Sequence, residues 1–298
     1  MSRAPLFNAF MAKQIAILQE TGRIRTSETY RVALNRLNEF LGGREIAFSE
    51  IDADLIEAFE ENLLSRHICR NTTSFYMRIL RAVYNRGVER GYTHSQDPFR
   101  HVYTGVDKTQ KRAVSVSVLR DLKAMDLSAE PRLAKARDLF FFSFYTRGMS
   151  FIDMAYLRQS DLWGGVLRYT RRKTGRTLSM RWESEMQEII DRYPPNPCGF
   201  LLPILNNPDR DLRQQYKDAI LSTNQSLTVL SDRLNLPIHL TTYVARHSWA
   251  SIAYSKNVPL SLISEGMGHE SERTTRIYLA SLSSSGLDKA NRRILKML

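Results

Sequence analysis

Two stretches decide how this chain is interpreted: LTTYVARHSWA at residues 240–250 and EGMGHESERTTRIY at residues 265–278. They contain an Arg-His pair, a Gly-His turn and a tyrosine nine residues after that turn, namely Arg246, His247, His269 and Tyr278. Guanidinium and imidazole groups bind anions, and a phenol becomes a nucleophile when it is activated. Taken alone, the Arg-His pair is more typical of a helix with one cation and one packed imidazole than of an active site.

Positive charge is concentrated in the same part of the chain. The 298 residues carry a net charge of +12. Residues 1–104 have 14 Lys and Arg against 12 Asp and Glu, whereas residues 105–298 have 29 against 19. A basic domain attracts polyanions, of which nucleic acid is the commonest, although such charge also serves solubility.

Composition disfavours secreted, disulfide-rich and membrane proteins. Cys69 and Cys198 are too few for a disulfide framework, and the opening residues MSRAPLFNAF lack the apolar core of a signal peptide. No run approaches the roughly 18 apolar residues of a membrane span. We therefore expect a cytoplasmic protein of two domains that does not contact a membrane.

Helical periodicity predicts a mainly α fold with a small β-hairpin or sheet. We expect an N-terminal helical domain at residues 1–104, a basic linker at 105–112 and a second domain at 113–298. The predicted elements are helices at 26–41 (after a Thr26-Ser27 start signal), 52–64, 71–91, 115–125 and 132–145, a hairpin around Thr174-Gly175, and mostly helix after Pro194-Pro195. The aromatic run at residues 140–145 is expected in the core.

The tip of the predicted hairpin has four cations and no acid: Arg171, Arg172, Lys173 and Arg176. Such a tip favours contact with an anion. The third predicted helix also carries arginines, among them Arg78 and Arg81, which fit either a DNA contact or a solvated face.

Several other chemistries have no motif here. HExxH, CxxC, Walker A and GxSxG patterns are missing from the sequence, and the histidines and cysteines lack metal-ligand spacing. A Lys-Thr-Gly triplet at residues 173–175 has no SxxK partner, so it does not indicate a penicillin-recognising enzyme. We expect no metal or other cofactor.

Three boxes in order resemble the tyrosine recombinase/phage-type integrase family. They are Ala245-Arg246-His247, Met267-Gly268-His269, and Thr274-Thr275 followed by Tyr278. The resemblance covers most of the chain. It implies an N-terminal core-binding, SAM-like helical domain that clamps DNA, and an α+β catalytic domain that ends in a C-terminal helix.

The resemblance also implies an activity and the residues that perform it. Tyr278 would attack a phosphodiester of double-stranded DNA, giving a 3′-phosphotyrosyl bond and a free 5′-hydroxyl without metal or ATP. Arg246 and His269 would bind the phosphate oxygens or move a proton, and Lys173 would protonate the leaving oxygen. Because a phenol has a pKa of about 10, Tyr278 must be activated as it attacks.

DNA contacts and an assembly are implied in the same way. The expected DNA-binding residues are Asn71, Thr72, Thr73, Arg78, Arg81, Arg171 and Arg172. Four copies would act on two DNA sites. The C-terminal segment, residues 287–298, would either pass to a neighbouring subunit or cap its own domain.

Two positions depart from the family pattern. Tyr243 stands where a histidine is usual; a phenol there can donate a hydrogen bond to a phosphate or pack as an aromatic. Ser150 stands where the first arginine is expected, a departure that resembles integrases of Bacteroides-type mobile elements. We expect Arg176 to replace that arginine, with Arg147 as the alternative.

Two further functions remain open from the sequence. Loss of the first arginine leaves room for a non-catalytic DNA-binding protein derived from the same fold. A topoisomerase would use the same chemistry without needing two DNA sites.

Overall fold

The computed structural model describes residues 4–107, 113–279 and 295, without the side chains of Ile277 and Tyr278. The chain divides into two compact units, residues 1–109 and residues 110–298. The division falls within the predicted linker, whose residues 108–112 lie outside the described part.

The N-terminal unit is helical and has one apolar core. Its α-helices are α1 (Phe7–Glu20), α2 (Ile24–Phe40), α3 (Ala53–Ser65) and α4 (Arg70–Glu89). All four contribute to the core, together with the turn at Phe48–Glu50. A Cβ on Gly87 of α4 would lie only 2.1 Å from the ring of Phe48, so this position requires glycine.

Of two helix starts predicted in this unit, the one at Asp52 agrees with the structure and the one at Thr26-Ser27 does not. Asp52, the first residue of the predicted helix 52–64, accepts a hydrogen bond from the Leu55 amide and caps α3. The predicted start at Thr26-Ser27 is wrong, because α2 begins at Ile24. Ser27 instead donates to the carbonyl oxygen of Ile24, so its hydroxyl is satisfied within the helix.

The C-terminal unit combines helices with a small sheet. Within residues 113–279 the helices are α5 (Val116–Ala124), α6 (Pro131–Tyr145), α7 (Phe151–Ala155), α8 (Ser184–Ile190), α9 (Leu212–Arg233), α10 (Thr242–Ser255), α11 (Leu260–Gly266) and α12 (Glu272–Leu279). The strands β1 (Leu162–Trp163), β2 (Val166–Thr170) and β3 (Thr177–Arg181) form an antiparallel sheet in chain order. The predicted fold class, mainly α with a small sheet, is confirmed.

The predicted hairpin is β2 and β3. Leu167 pairs with Met180 and Tyr169 with Leu178, and these four side chains face the core while their neighbours face outward. The aromatic run of α6 lies in the same core, as predicted.

Helix α10 positions the site because it lies at the centre of this unit. It packs against α6, α9, α11 and α12. Val244, Ala245 and Ala250 are buried on its inner faces. Small side chains there let neighbouring backbone approach closely, which encloses the arginine between them.

Candidate active site

Arg246 is held in place by backbone from two distant loops. Its side chain is 3% exposed. Nη1 donates to the carbonyl oxygen of Gly148, and Nη2 donates to that of Met267 at 2.7 Å. Gly148 has a φ of +75°, and a Cβ on it would lie 2.8 Å from the Arg246 Cα. Glycine at this position therefore permits the close approach that fixes the guanidinium.

His269 adjoins Arg246 and is held by both ring nitrogens. Nε2 lies 3.0 Å from Arg246 Nη2, and Nδ1 lies 2.8 Å from the Thr275 hydroxyl oxygen. Burial, followed by the charges of Arg246, Arg171 and Lys173, lowers the pKa of His269 to about 4. The ring is therefore neutral near pH 7. Because a guanidinium only donates, Nε2 accepts and Nδ1 carries the proton.

The four cations of the hairpin tip do not form one cluster. Arg171 is 6% exposed, whereas Arg172, Lys173 and Arg176 are exposed. Arg171 Nη1 donates to the Gly268 carbonyl oxygen, and its Nε lies 3.6 Å from Asp153 Oδ2. Arg171 is therefore not an exposed cation of the tip, and its contact with DNA stays a prediction. The guanidinium instead faces the loop that carries His269.

Asp153 connects the hairpin to the position of the missing arginine. Its buried carboxylate accepts from the Ser150 hydroxyl at 2.6 Å and from the Arg172 amide at 2.9 Å, in addition to its ion pair with Arg171. The charge is thus compensated from three sides. Ser150 itself supplies no positive charge, so the pocket draws its cations from other segments.

The two predicted replacements for that arginine lie beside one groove. Arg176 Nη1 donates to the His269 carbonyl oxygen at 2.8 Å. Arg147 precedes α7 with a φ of +59°, outside any helix. Both line an open groove of about 520 Å³ together with Trp249 and Glu265.

The remaining predicted catalytic residues are Tyr243, Lys173 and Tyr278. Tyr243 is 51% exposed, and its ring packs edge-to-face on His247 at 4.9 Å between centroids. Lys173 is exposed, and its charge acts on His269. Tyr278 belongs to α12, which packs against α10 and α11, but its side chain lies outside the described residues. The C-terminal segment 287–298 also lies outside them, except for Leu295.

Two polar residues of α4 bind residues 104–107 of the same unit. Asn71 Nδ2 donates to the Asp107 carbonyl oxygen at 3.1 Å, and its Oδ1 accepts from the Asp107 amide at 2.7 Å. Arg81 donates to the Thr104 hydroxyl at 3.2 Å. These contacts tie α4 to the residues around the start of the predicted linker.

Thr73 lies on the core face of α4. It is fully buried, which contradicts its prediction as a DNA contact. It lies three, four and seven residues before Tyr76, Met77 and Leu80, so helical spacing places it on the core face. Thr72, whose hydroxyl lies 3.1 Å from Cys69 Sγ, and Arg78 are partly exposed and remain predicted DNA contacts.

Two residues of the pocket were not assigned to it from the sequence. Arg171 follows Leu167 and Tyr169 at a spacing of two, and both of those side chains face inward. The alternation of a strand therefore contained a signal that Arg171 also faces inward. Thr275 had no comparable signal, because its contact with His269 depends on how the loop before α12 folds.

The described residues contain neither a candidate metal-ion site nor a candidate membrane-spanning helix. Among the described residues, no group of three or more His, Cys, Asp or Glu side chains could hold a metal ion. None of the helices in residues 4–107 and 113–279 has the length and apolar character of a membrane span.

Residues 6–104 match the family described as phage integrase SAM-like domain. This match covers most of the N-terminal unit and about a third of the chain. No curated protein sequence is significantly similar to the chain.

Solved structures resemble the whole chain. The Tn1549 transposon integrase in complex with transposon right end DNA has a TM-score of 0.71 at 14% identity, covering 98% of this chain and 99% of that one. A lambda integrase tetramer bound to a Holliday junction has a TM-score of 0.69 at 12% identity, with 93% and 78% coverage. The XerH site-specific recombinase bound to palindromic difH has 0.66 at 16%, with 90% and 79% coverage. The chain thus has the tyrosine recombinase fold, with an N-terminal SAM-like domain of the phage integrase type.

Proposed function

We propose that this protein is a site-specific tyrosine recombinase, an integrase, that cuts and rejoins double-stranded DNA through a 3′-phosphotyrosyl bond at Tyr278. One observation carries the proposal. Arg246 and His269, 23 residues apart in sequence, meet at 3.0 Å in a buried pocket against the helix that contains Tyr278. The pocket belongs to a fold shared with integrases solved on DNA.

The reaction follows from the state of these groups. As the Tyr278 oxygen bonds to phosphorus, the bond from phosphorus to the 5′-oxygen breaks. His269 is neutral, and its Nε2 can take the phenol proton when Arg246 Nη2 turns from it to a phosphate oxygen. Lys173 supplies the proton that the leaving 5′-oxygen needs. The phosphotyrosyl bond keeps the energy of the broken linkage, so the 5′-hydroxyl of a second DNA end can reverse the step.

We propose that Arg171, with Arg246, stabilises the charge that develops on the phosphate oxygens. Both guanidiniums are buried and already held by carbonyl oxygens, which is the preorganisation that transition-state stabilisation requires. The charge of Arg171 acts on His269, which supports this choice over the exposed Arg176. A serine at position 150 also supports placing the chain near integrases of Bacteroides-type mobile elements.

The proposed assembly is a homotetramer on two DNA sites. A lambda integrase tetramer on a Holliday junction shares the fold, and the excess of 29 cations over 19 acids in residues 105–298 favours DNA. Exchange of the C-terminal helix between subunits is part of the same proposal. Asn71, Thr72, Arg78 and Arg81 would contact DNA from the N-terminal unit.

Covalent trapping tests the proposed function. The substrate is a pool of lightly nicked duplex fragments from the DNA that flanks the gene, because a nick near the cleavage site lets the 5′-hydroxyl strand diffuse away. We expect the wild type to form a protein–DNA adduct that survives a denaturing gel. Tyr278→Phe should bind the same DNA and form none, while Tyr254→Phe, which changes an exposed tyrosine of α10, should behave as the wild type.

Each other result has a definite meaning. An adduct that persists in Tyr278→Phe rejects Tyr278 as the nucleophile. DNA binding by the wild type without any adduct favours the non-catalytic DNA-binding protein. Relaxation of supercoiled plasmid that carries a single site favours the topoisomerase.

A further inference from the structure

We propose that Thr275 is a positioning residue that accepts the Nδ1 proton of His269, holds the ring with Nε2 toward Arg246, and thereby couples the Gly-His loop to the helix of the nucleophile. The inference rests on the proposed function where it concerns cleavage. The hydrogen bond itself, between His269 Nδ1 and the Thr275 hydroxyl at 2.8 Å, is independent of that function.

The two contacts of the His269 ring require one tautomer. Arg246 Nη2 can only donate, so the Nε2 atom 3.0 Å away must accept and carries no proton. The single proton of the neutral ring is then on Nδ1, and the Thr275 oxygen accepts it. Without that oxygen, Nδ1–H would lose this acceptor, and the ring would lose the contact that holds Nε2 toward Arg246.

The surrounding cations keep the ring neutral, and Arg246 also selects the tautomer because it can only donate to Nε2. Arg246 on α10 and Arg171 and Lys173 on the hairpin tip act on the imidazole, and Arg176 donates to the carbonyl oxygen of the same residue. These cations disfavour a protonated imidazolium. The orientation of the neutral ring then depends on its hydrogen bonds, and Thr275 makes the one at Nδ1.

The location of Thr275 explains why the contact matters. Its side chain has 0% exposure, and an unpaired hydroxyl buried in this way would cost about 1–3 kcal/mol. It lies in α12 three residues before Tyr278, which is about 4.5 Å along a helix axis. One hydrogen bond therefore joins the proposed proton acceptor to the segment that carries the proposed nucleophile.

Three variants of the full chain separate positioning from packing. Thr275→Val keeps the size of the side chain and removes the hydroxyl, whereas Thr275→Ser keeps the hydroxyl. Thr274→Val makes the same change at the exposed neighbour and serves as the matched control. Cleavage is measured as the rate of adduct formation on the nicked fragments described above, and folding is checked by urea unfolding.

The Nδ1–H hydrogen bond is read by ¹H–¹⁵N NMR of ¹⁵N-labelled protein near pH 7, where a hydrogen-bonded ring proton that exchanges slowly with water gives a resolved Nδ1–H pattern. The His269 signals are assigned by their loss in His269→Gln. We expect the Nδ1–H pattern in the wild type, Thr275→Ser and Thr274→Val, and its loss in Thr275→Val. Adduct formation should fall about 10- to 100-fold in Thr275→Val, as part of the contribution of a proton-transferring group, and recover in Thr275→Ser.

The two ways of failing are distinguishable. An unchanged His269 pattern in Thr275→Val overturns the positioning role, whatever happens to cleavage. A slow Thr275→Ser variant that keeps the Nδ1–H pattern also overturns it, because packing would then explain the loss. If the wild type forms no adduct, the proposed function fails, and the NMR result still decides whether Thr275 holds the His269 ring.

Discussion

In both units polar side chains form hydrogen bonds with other residues of the same unit, but the two units bury these side chains to different extents. In the C-terminal unit, Arg246, Arg171 and His269 are buried and bonded within the pocket. In the N-terminal unit, Asn71 and Arg81 are partly exposed and hold residues 104–107. A buried group is oriented before any ligand arrives, which suits catalysis. A half-exposed group can exchange its partner for a phosphate, which suits DNA binding.

The hairpin tip repeats this contrast over two neighbouring residues. Arg171 is buried against Asp153 and Gly268, whereas Arg172 is exposed and lies over the Tyr156 ring at 3.9 Å. Sequence composition treats the two arginines alike. Because their environments differ, replacing each arginine should change the free energy of unfolding by a different amount.

The largest effect is expected at Arg171. Arg171→Met leaves the buried Asp153 carboxylate without its cation, and we expect the free energy of unfolding to fall by about 3 kcal/mol. Arg172→Met, the matched control, removes an exposed cation–π contact and should cost about 0.5–1 kcal/mol. Urea unfolding of both variants measures the difference, and equal losses would contradict the assignment of Arg171 to the interior.

The same variants rank the arginines in cleavage. Adduct formation by folded Arg171→Met should be roughly 10²–10³-fold slower than that of the wild type, the usual loss for one preorganised donor. Arg176→Met should lose less. If instead Arg176→Met stops cleavage and Arg171→Met retains it, the assignment made from the sequence is restored.

An intermediate effect is expected from the protonation of His269. Its pKa is lowered from 6.5 to about 4 in the folded protein, so the unfolded chain takes up the proton first as the pH falls. The folded state should therefore lose up to about 3 kcal/mol relative to the unfolded chain between pH 6.5 and pH 4. Urea unfolding across this range should show a shallower decline for His269→Gln than for the wild type. Parallel curves would show that the pKa of His269 is not lowered.

The smallest effect is expected in the N-terminal unit. Asn71→Ala removes both hydrogen bonds to the Asp107 backbone, each worth about 1 kcal/mol or less at a partly exposed site. Exchange of the Asp107 amide hydrogen should accelerate about fivefold, while Thr72→Ala should leave it unchanged. If Asp107 stays equally protected in Asn71→Ala, the contact does not hold the start of the linker.

Much of the fold was predictable because it depends on local patterns. Apolar spacing predicted α3, α4, α5 and α6, and the Thr174-Gly175 turn predicted the pairing of β2 with β3. Start signals were less reliable, as Ser27 shows: its hydroxyl bonds back to Ile24 inside a helix that has already begun. Capping residues have more than one local use, so composition alone does not locate an end.

For the candidate site, the sequence by itself determined the residue types and their order: Arg246, His269 and a tyrosine in the next helix. Only the tertiary structure decided that Arg171 faces the pocket, that Thr73 faces the core and that His269 is neutral with its proton on Nδ1. These properties depend on partners distant in sequence, such as Gly268, which lies 97 residues from Arg171. Burial and hydrogen bonding arise from such long-range neighbours, and a linear pattern of residue types does not specify them.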